Sequence, residues 1–433
     1  MSGADSAWLH MDRPENRMIV NTVLSFETTP DWKAVEEILQ ERVVDRHSRF
    51  RQRVADPPIT LGLLAPTWES VETRAGDHIV RATLPSPGDA RALHTYVAGQ
   101  ARLPLDARRP LWEVHAIDGY LAGAALLLRT HHAIADGRAM VEVITGLTEP
   151  CVPRRAAPRQ RPMRHLSVDE HPGGVVADVD AFVKLAGRVI RWPDLNRPRL
   201  TGNKTMASLA PIPLARLKEA ARPTGSSVND LSLAAVAGAL RSLVPAELCS
   251  DVDVVVPIDL RPPESVSGEL GNRFGLAFAR LPVASAERDE RLALVTRRMR
   301  QIKRSREAAL VFGGLGVAGR LPRLAQRAWT DAFIKNAVAV VTNVKGPAEP
   351  VALAGSRVTE MCFWVPSTGP LGIGVSVVSY AGDVVVGLVV DDGVVPDGVG
   401  LARVLEAELG RLVEPDIRHD TGFQVSSAGP ALQ

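Results

Sequence analysis

Thr130-His131-His132-Ala133-Ile134-Ala135-Asp136-Gly137 follows without a break on Leu121–Thr130, a run that is nearly all apolar. Such a run reads as a strand buried on both faces. Glu113–Gly119, just upstream, reads as a partner strand with a turn around Asp118-Gly119. The histidines therefore stand at the end of a buried strand. A scaffold holds a reacting group still at such a place while the next turn opens to a ligand. Asp136 can start the following helix, and Gly137 lets backbone approach closely.

A histidine in that setting suits acyl transfer from a thioester to an alcohol. A neutral imidazole takes the hydroxyl proton as oxygen attacks the carbonyl, then returns it to the leaving thiolate. No serine or cysteine nucleophile is required if both substrates bind together. The same residues admit two other readings, a chance pair or half of a metal site. Neighbouring residues point to opposite faces of a strand, so His131 and His132 do not easily ligate one ion. His115 on the partner strand keeps the metal reading open.

Further out, Val20–Glu27 reads as a strand. Thr29-Pro30 reads as a helix start, with Trp32, Val35, Leu39 and Val43 on one face. Residues 149–174 are rich in Pro, Arg and Gly and lack apolar periodicity, which marks a linker or crossover. We expect one domain over residues 1–150, a linker over 151–199 and a second domain over 200–433. In the second half, Ser227–Val244 reads as a helix opened by a Ser-x-x-Asp cap. Asp253–Ile258 and Gly275–Leu281 read as strands, Glu287–Arg306 as a basic helix, 337–390 as several short strands and 399–412 as a helix. Irregular alternation of helix and strand predicts two mixed α/β (α+β) halves.

A chain of 433 residues is too long for one ordinary core. The net charge of +2 argues against a nucleic-acid partner, which calls for a strongly basic face. Cys151, Cys249 and Cys362 are too scattered for a metal knuckle, read as small core residues, and in odd number fit a reducing compartment. We see neither a signal peptide nor an apolar run long enough to span a bilayer, so lipid contact is expected to be peripheral.

The histidine segment resembles the His-His-x-x-x-Asp-Gly motif of the coenzyme A-dependent acyltransferase superfamily. Further segments, in order, resemble the bacterial wax ester synthase/diacylglycerol acyltransferase family: Asp5–Met18, Arg46–Val54, Pro110-Leu111-Trp112, Asn229-Asp230, Pro257–Pro262, Leu270–Gly275, Asn343–Pro347 and Val389–Asp397. This resemblance implies two chloramphenicol acetyltransferase-like domains with a tunnel between them. Acyl-CoA enters from one side and a diacylglycerol or fatty alcohol from the other. His132 is implied as the base and His131 as its support, with Asp136 pairing an arginine to hold the loop. Arg261 is the first candidate for that pairing and Arg273 the second. Coenzyme A enters as substrate, and no cofactor or metal is called for. The implied location is the cytoplasm, at the inner membrane face or a lipid droplet. A polyketide or glycolipid hydroxyl as acceptor, or a non-catalytic lipid-binding role, are the alternatives.

The remaining motif residues have plain structural readings. Pro110-Leu111-Trp112 packs the core or shapes a tunnel wall. Asn229-Asp230 fits a helix cap ahead of substrate contact. Asn343, Gly346 and Pro347 read first as a turn. Arg297 and Arg298 belong to a basic run that is a solvated helix face, or else a site for coenzyme A phosphates or an anionic membrane. For the oxyanion, the candidates are a backbone N–H near Gly137 or the Asn272 side chain. The chain departs from the family in carrying Thr342 and Lys345 where Ser and Pro are usual. Lys345 either faces solvent or points into the tunnel, where it would disfavour long apolar chains.

Overall fold

In the computed structural model, residues 1–55, 66–151, 198–261, 270–366 and 371–413 are described. The expected linker, apart from its ends, and Pro262 lie outside them. The strand Gly123–His131 is buried at every position. It is hydrogen-bonded on one side to Trp112–Tyr120 and on the other to Ile19–Phe26, both antiparallel. Its alternate side chains feed two cores. Leu126 and Leu128 enter one cluster with Val20, Leu24 and Met140, while Ala125 and Leu127 enter another with Val23, Leu93 and Val97. A strand with apolar packing on both faces must read as a continuous apolar run, and it does.

Two expected boundaries move. The hairpin turns at Leu121-Ala122, not at Asp118-Gly119. Gly119, at φ 76°, instead forms a bulge in a strand that continues to Tyr120; glycine tolerates that angle, and the bulge twists the strand into the turn. The helix expected to start at Thr29-Pro30 starts at Trp32. There Asp31 caps it by accepting from the Lys33 N–H at 2.9 Å, and a carboxylate favours the positive helix start. Trp32, Val35, Leu39 and Val43 are all buried, as their spacing predicted.

The first sheet has seven strands, in the order 79–83, 112–120, 123–131, 19–26, 356–364, 351–353 and 149–150. Two of its strands thus come from beyond residue 350. Ser356–Trp364 pairs with Ile19–Phe26, so the sheets do not divide where the sequence divides. The second sheet also has seven strands. Ala337–Lys345 lies at its middle, parallel to both Val252–Asp259 and Ile373–Tyr380. Helices Val228–Arg241, Arg288–Arg304 and Gly398–Val413 contribute to the core packed against it. Val228–Arg241 opens with the expected capping box between Ser227 and Asp230. The two sheets meet closely at Gly387, where a Cβ would stand 2.3 Å from the Phe363 carbonyl oxygen, so a side chain there would force them apart.

Five α-helices among the described residues have no counterpart in the sequence reading: Gly3–His10, Ala90–Ala101, Leu214–Ala221, Glu307–Ala318 and Arg323–Ile334. Of the cysteines, only Cys362 is buried; Cys249 is half-buried and Cys151 exposed, so the expectation of three core residues fails for Cys151.

Candidate active site

The paired strands hold the histidines by their backbones. The His131 N–H donates to the Leu111 carbonyl at 3.0 Å, and the His132 N–H to the Met18 carbonyl at 2.7 Å. Pro110-Leu111-Trp112 therefore sits directly beside the histidine turn as core. Trp112 is buried, stacks on His78 at a centroid distance of 4.1 Å and donates its Nε1–H to the Phe50 carbonyl.

The two imidazoles have opposite environments. His131 is buried; its Nδ1 accepts the Ala133 N–H at 3.1 Å, and its Nε2 lies 3.9 Å from Asp12. Burial, only partly offset by Asp12, pushes its pKa down to about 4. It is a neutral structural post. His132 is partly exposed. One face is stacked on Trp8, with centroids 4.3 Å apart and planes at 18°, and Phe274 lies beyond at 5.5 Å. Burial lowers its pKa below 6.5, and Asp136 opposes that shift. At neutral pH the ring is uncharged and ready to take a proton.

Asn272 decides which nitrogen takes it. Its Nδ2 donates to the Asp5 carboxylate and to the His132 carbonyl, both at 2.9 Å. With the amide so oriented, Oδ1 is the atom facing His132 Nδ1, at 3.0 Å. A carbonyl oxygen can only accept, so Nδ1 carries the hydrogen and Nε2 the lone pair. Asp5 is itself buried and paired to Arg49 at 3.2 Å, which anchors this chain of contacts. Asn272 was one candidate for the oxyanion donor. The structure corrects this: both of its N–H groups are engaged, and it orients the histidine instead.

Asp136 stands where its two expected contacts can form. Oδ1 caps the helix Gly137–Leu147 by accepting the Ala139 N–H at 3.0 Å, and Oδ2 pairs with Arg261 at 2.7 Å. Arg273, the second candidate, contributes its backbone N–H at 3.0 Å. These contacts tie the histidine turn to Arg261 and to Arg273, the neighbour of Asn272. Gly137 leaves no room to spare, since a Cβ there would lie 3.2 Å from Val344 Cγ2.

Other expected residues lie elsewhere or do something else. Asp230 belongs to its capping box, and Asn229 lies beside it at the helix start, half-buried. Asn343 and Lys345 are in a strand rather than a turn, paired with Val377 and Ser379; only Gly346 and Pro347 leave it. Lys345 is exposed, and Val344 is the residue turned toward Gly137, which favours the solvent reading for the lysine. Arg298 pairs with Asp251 at 2.9 Å and with the Arg280 carbonyl, whereas Arg297 is exposed. His115 bonds Tyr96 at 2.7 Å and Glu113 at 2.6 Å. It forms no metal site with the pair: among the described residues no cluster suited to a metal occurs. Sequence reading missed Trp8 and the role of Asp5. The stretch 5–18 was noted, but nothing local showed that its helix would lie on His132.

The family model described as the wax ester synthase/diacylglycerol acyltransferase catalytic domain matches residues 1–232, and the model for the family's C-terminal domain matches residues 270–412. The chain belongs to this family. Members of the wax ester synthase/diacylglycerol acyltransferase family are acyltransferases, and so is this chain. The Probable diacylglycerol O-acyltransferase tgs1 of Mycobacterium tuberculosis is 29% identical over 416 residues, covering 89% of this chain and 88% of that protein. The wax ester synthase/diacylglycerol acyltransferase of Marinobacter aquaeolei shares the fold at TM-score 0.67 and 22% identity, over 94% of this chain and 97% of that one. The first condensation domain of the CDA synthetase does so at TM-score 0.60 and 16% identity, over 95% of each chain. The fold is the one expected: mixed α/β, with two sheet-containing bodies of the condensation and acetyltransferase kind.

Proposed function

We propose that this enzyme transfers an acyl group from coenzyme A to the hydroxyl of a diacylglycerol or long-chain alcohol, with His132 Nε2 as general base. The observation that carries the proposal is the Asn272 amide, which takes the Nδ1 hydrogen of His132 and leaves Nε2 as the basic atom. The acceptor O–H proton passes to Nε2 as its oxygen bonds the thioester carbon. The tetrahedral intermediate then collapses, the C–S bond breaks, and the proton leaves on the coenzyme A thiol. With Asn272 engaged, a backbone N–H near Gly137 is the donor we assign to the oxyanion. A passage between the two bodies would bring the substrates together at His132, whose partial exposure is consistent with access. His131 shapes the turn, and Asp136 with Arg261 fixes it to the second body.

Purified protein given palmitoyl-CoA with either diacylglycerol or hexadecanol should release free thiol and form ester with at least one of them. The product names the acceptor. An absence of turnover with both, and with polar hydroxyl acceptors as well, would move the assignment to a non-catalytic lipid binder.

The protonation state makes a separate expectation. The active form is the neutral ring, so kcat/KM rises with pH through the His132 pKa. Burial holds that pKa down, so the half-maximal rate falls on the acid side of 6.5 and the profile is flat at neutrality. A pH–rate profile with its midpoint above 7 would contradict this environment.

Acceptors of this class reside in membranes or lipid droplets, and we place the enzyme peripherally on such a surface. No helix among the described residues is long and apolar enough to cross a bilayer.

A further inference from the structure

Residues 308–319, AALVFGGLGVAG, contain no polar side chain. They make up nearly all of the helix Glu307–Ala318. Its inner face, Ala308, Val311, Leu315 and Ala318, is buried. The opposite face is apolar too, yet it is open. Leu310, Gly313 and Val317 recur at helical spacing there and are exposed, Val317 by 65%. The chain then turns through Leu321, 39% exposed, to Leu324, 81% exposed. A helix apolar all round is normally enclosed on all sides, and this one is not.

Charge indicates what covers it. From Arg291 to Thr330 the chain carries ten basic residues and one acid, Glu307. That acid is turned inward to accept the Phe278 N–H at 3.1 Å. Lys303 and Arg304 before the helix, and Arg320 after it, are exposed. An apolar face flanked at both ends by cations matches the boundary of an anionic bilayer, with apolar side chains among the acyl chains and cations at the headgroups. At 12 residues the helix is about 18 Å long, well short of the roughly 30 Å needed to span the hydrocarbon.

We propose that the outward face of helix Glu307–Ala318, with the turn to Leu324, docks the enzyme on an anionic lipid surface. The position suits the chemistry. The inner face of this helix lies on helix Gly3–His10, so closely that a Cβ on Gly3 would stand 2.1 Å from the Gly316 carbonyl oxygen. Val311 and Leu315 share a core cluster with Trp8, whose ring covers His132. Docking therefore sets the lipid on the side of the protein where helix Gly3–His10 covers the base. The idea rests on the reading that the acceptor is a lipid, but its test does not need turnover.

Full-length protein is sedimented with vesicles of phosphatidylcholine, alone or mixed with phosphatidylglycerol. Wild type should bind the mixed vesicles. Val317→Asp and Leu324→Asp, on different helices, should each weaken binding roughly tenfold or more, the size expected when an apolar side chain is withdrawn from lipid and a carboxylate replaces it. Arg304→Glu should weaken binding to the anionic vesicles only. All three should keep wild-type transfer from acyl-CoA to a short, water-soluble alcohol. Wild type that stays in solution, or Asp variants that bind as wild type does, would overturn the proposal. So would a dimer that Val317→Asp converts to monomer with vesicle binding unchanged, since the face would then join two copies of the chain. Wild type that binds the vesicles yet transfers no acyl group to any alcohol, soluble or lipid, counts against the proposed function and leaves the docking surface standing.

Discussion

His132→Ala should lower kcat by about 10²–10⁴-fold, the usual contribution of a positioned general base, with little change in KM. The acceptor hydroxyl then has no group to take its proton, because His131 is buried, low in pKa and bonded to the Ala133 N–H. The fold should survive. The lost imidazole stacks on Trp8 and is partly exposed, so removing it forfeits about 0.5–1.5 kcal/mol of ring contact and opens a gap at the edge of the core. Circular dichroism and the melting temperature check the fold, while thiol release from palmitoyl-CoA checks the rate. Activity within a few-fold of wild type would remove His132 from the chemistry.

Asp136→Ala should act differently, through stability as well as rate. The carboxylate is buried, caps a helix and pairs with a buried arginine. Removing one partner of a buried ion pair costs about 3–5 kcal/mol, here near the lower figure because Asp259 still faces Arg261 at 3.3 Å. The lost cap adds about 1 kcal/mol. Denaturant midpoint and soluble yield should both fall. The rate should fall too, because Arg261 and Arg273 lose an anchor to the histidine turn and Asn272, next to Arg273, moves with it. Asp136→Asn has a single oxygen, which can keep the cap on the Ala139 N–H but leaves an NH2 against the Arg273 N–H and Arg261, so it should recover only the cap's share of the stability. A normally stable and fully active alanine variant would show that the pair holds nothing in place.

Much of this was legible in the sequence because it is written in local signals. An apolar run ending in His-His announces its own strand end. Ser227 and Asp230 lie three residues apart and cap a helix on that account alone. Arg261 could be named as the partner of Asp136 from the resemblance. Asn272 was in view but in the wrong role, since its function depends on Asp5, 267 residues away, which fixes the direction of its amide. Trp8 was invisible for the same reason: stacking on His132 is a fact of tertiary packing. The crossing of Ser356–Trp364 into the first sheet was hidden too, because an apolar strand carries no address for its partner. Helix Glu307–Ala318 lacks the apolar stripe that marks an amphipathic helix. Its apolar residues go all the way round, so periodicity gave no signal.

Catalysis by His132 turns on where one ring carries its proton. Nitrogen NMR of protein carrying ¹⁵N-labelled histidine, with His132 assigned by its absence in His132→Ala, reads the two nitrogens directly. At neutral pH Nδ1 should give the signal of a protonated nitrogen and Nε2 that of a bare one, and the pattern should be lost in Asn272→Leu. The reverse pattern, with the hydrogen on Nε2, would leave no base facing the acceptor and would contradict the mechanism.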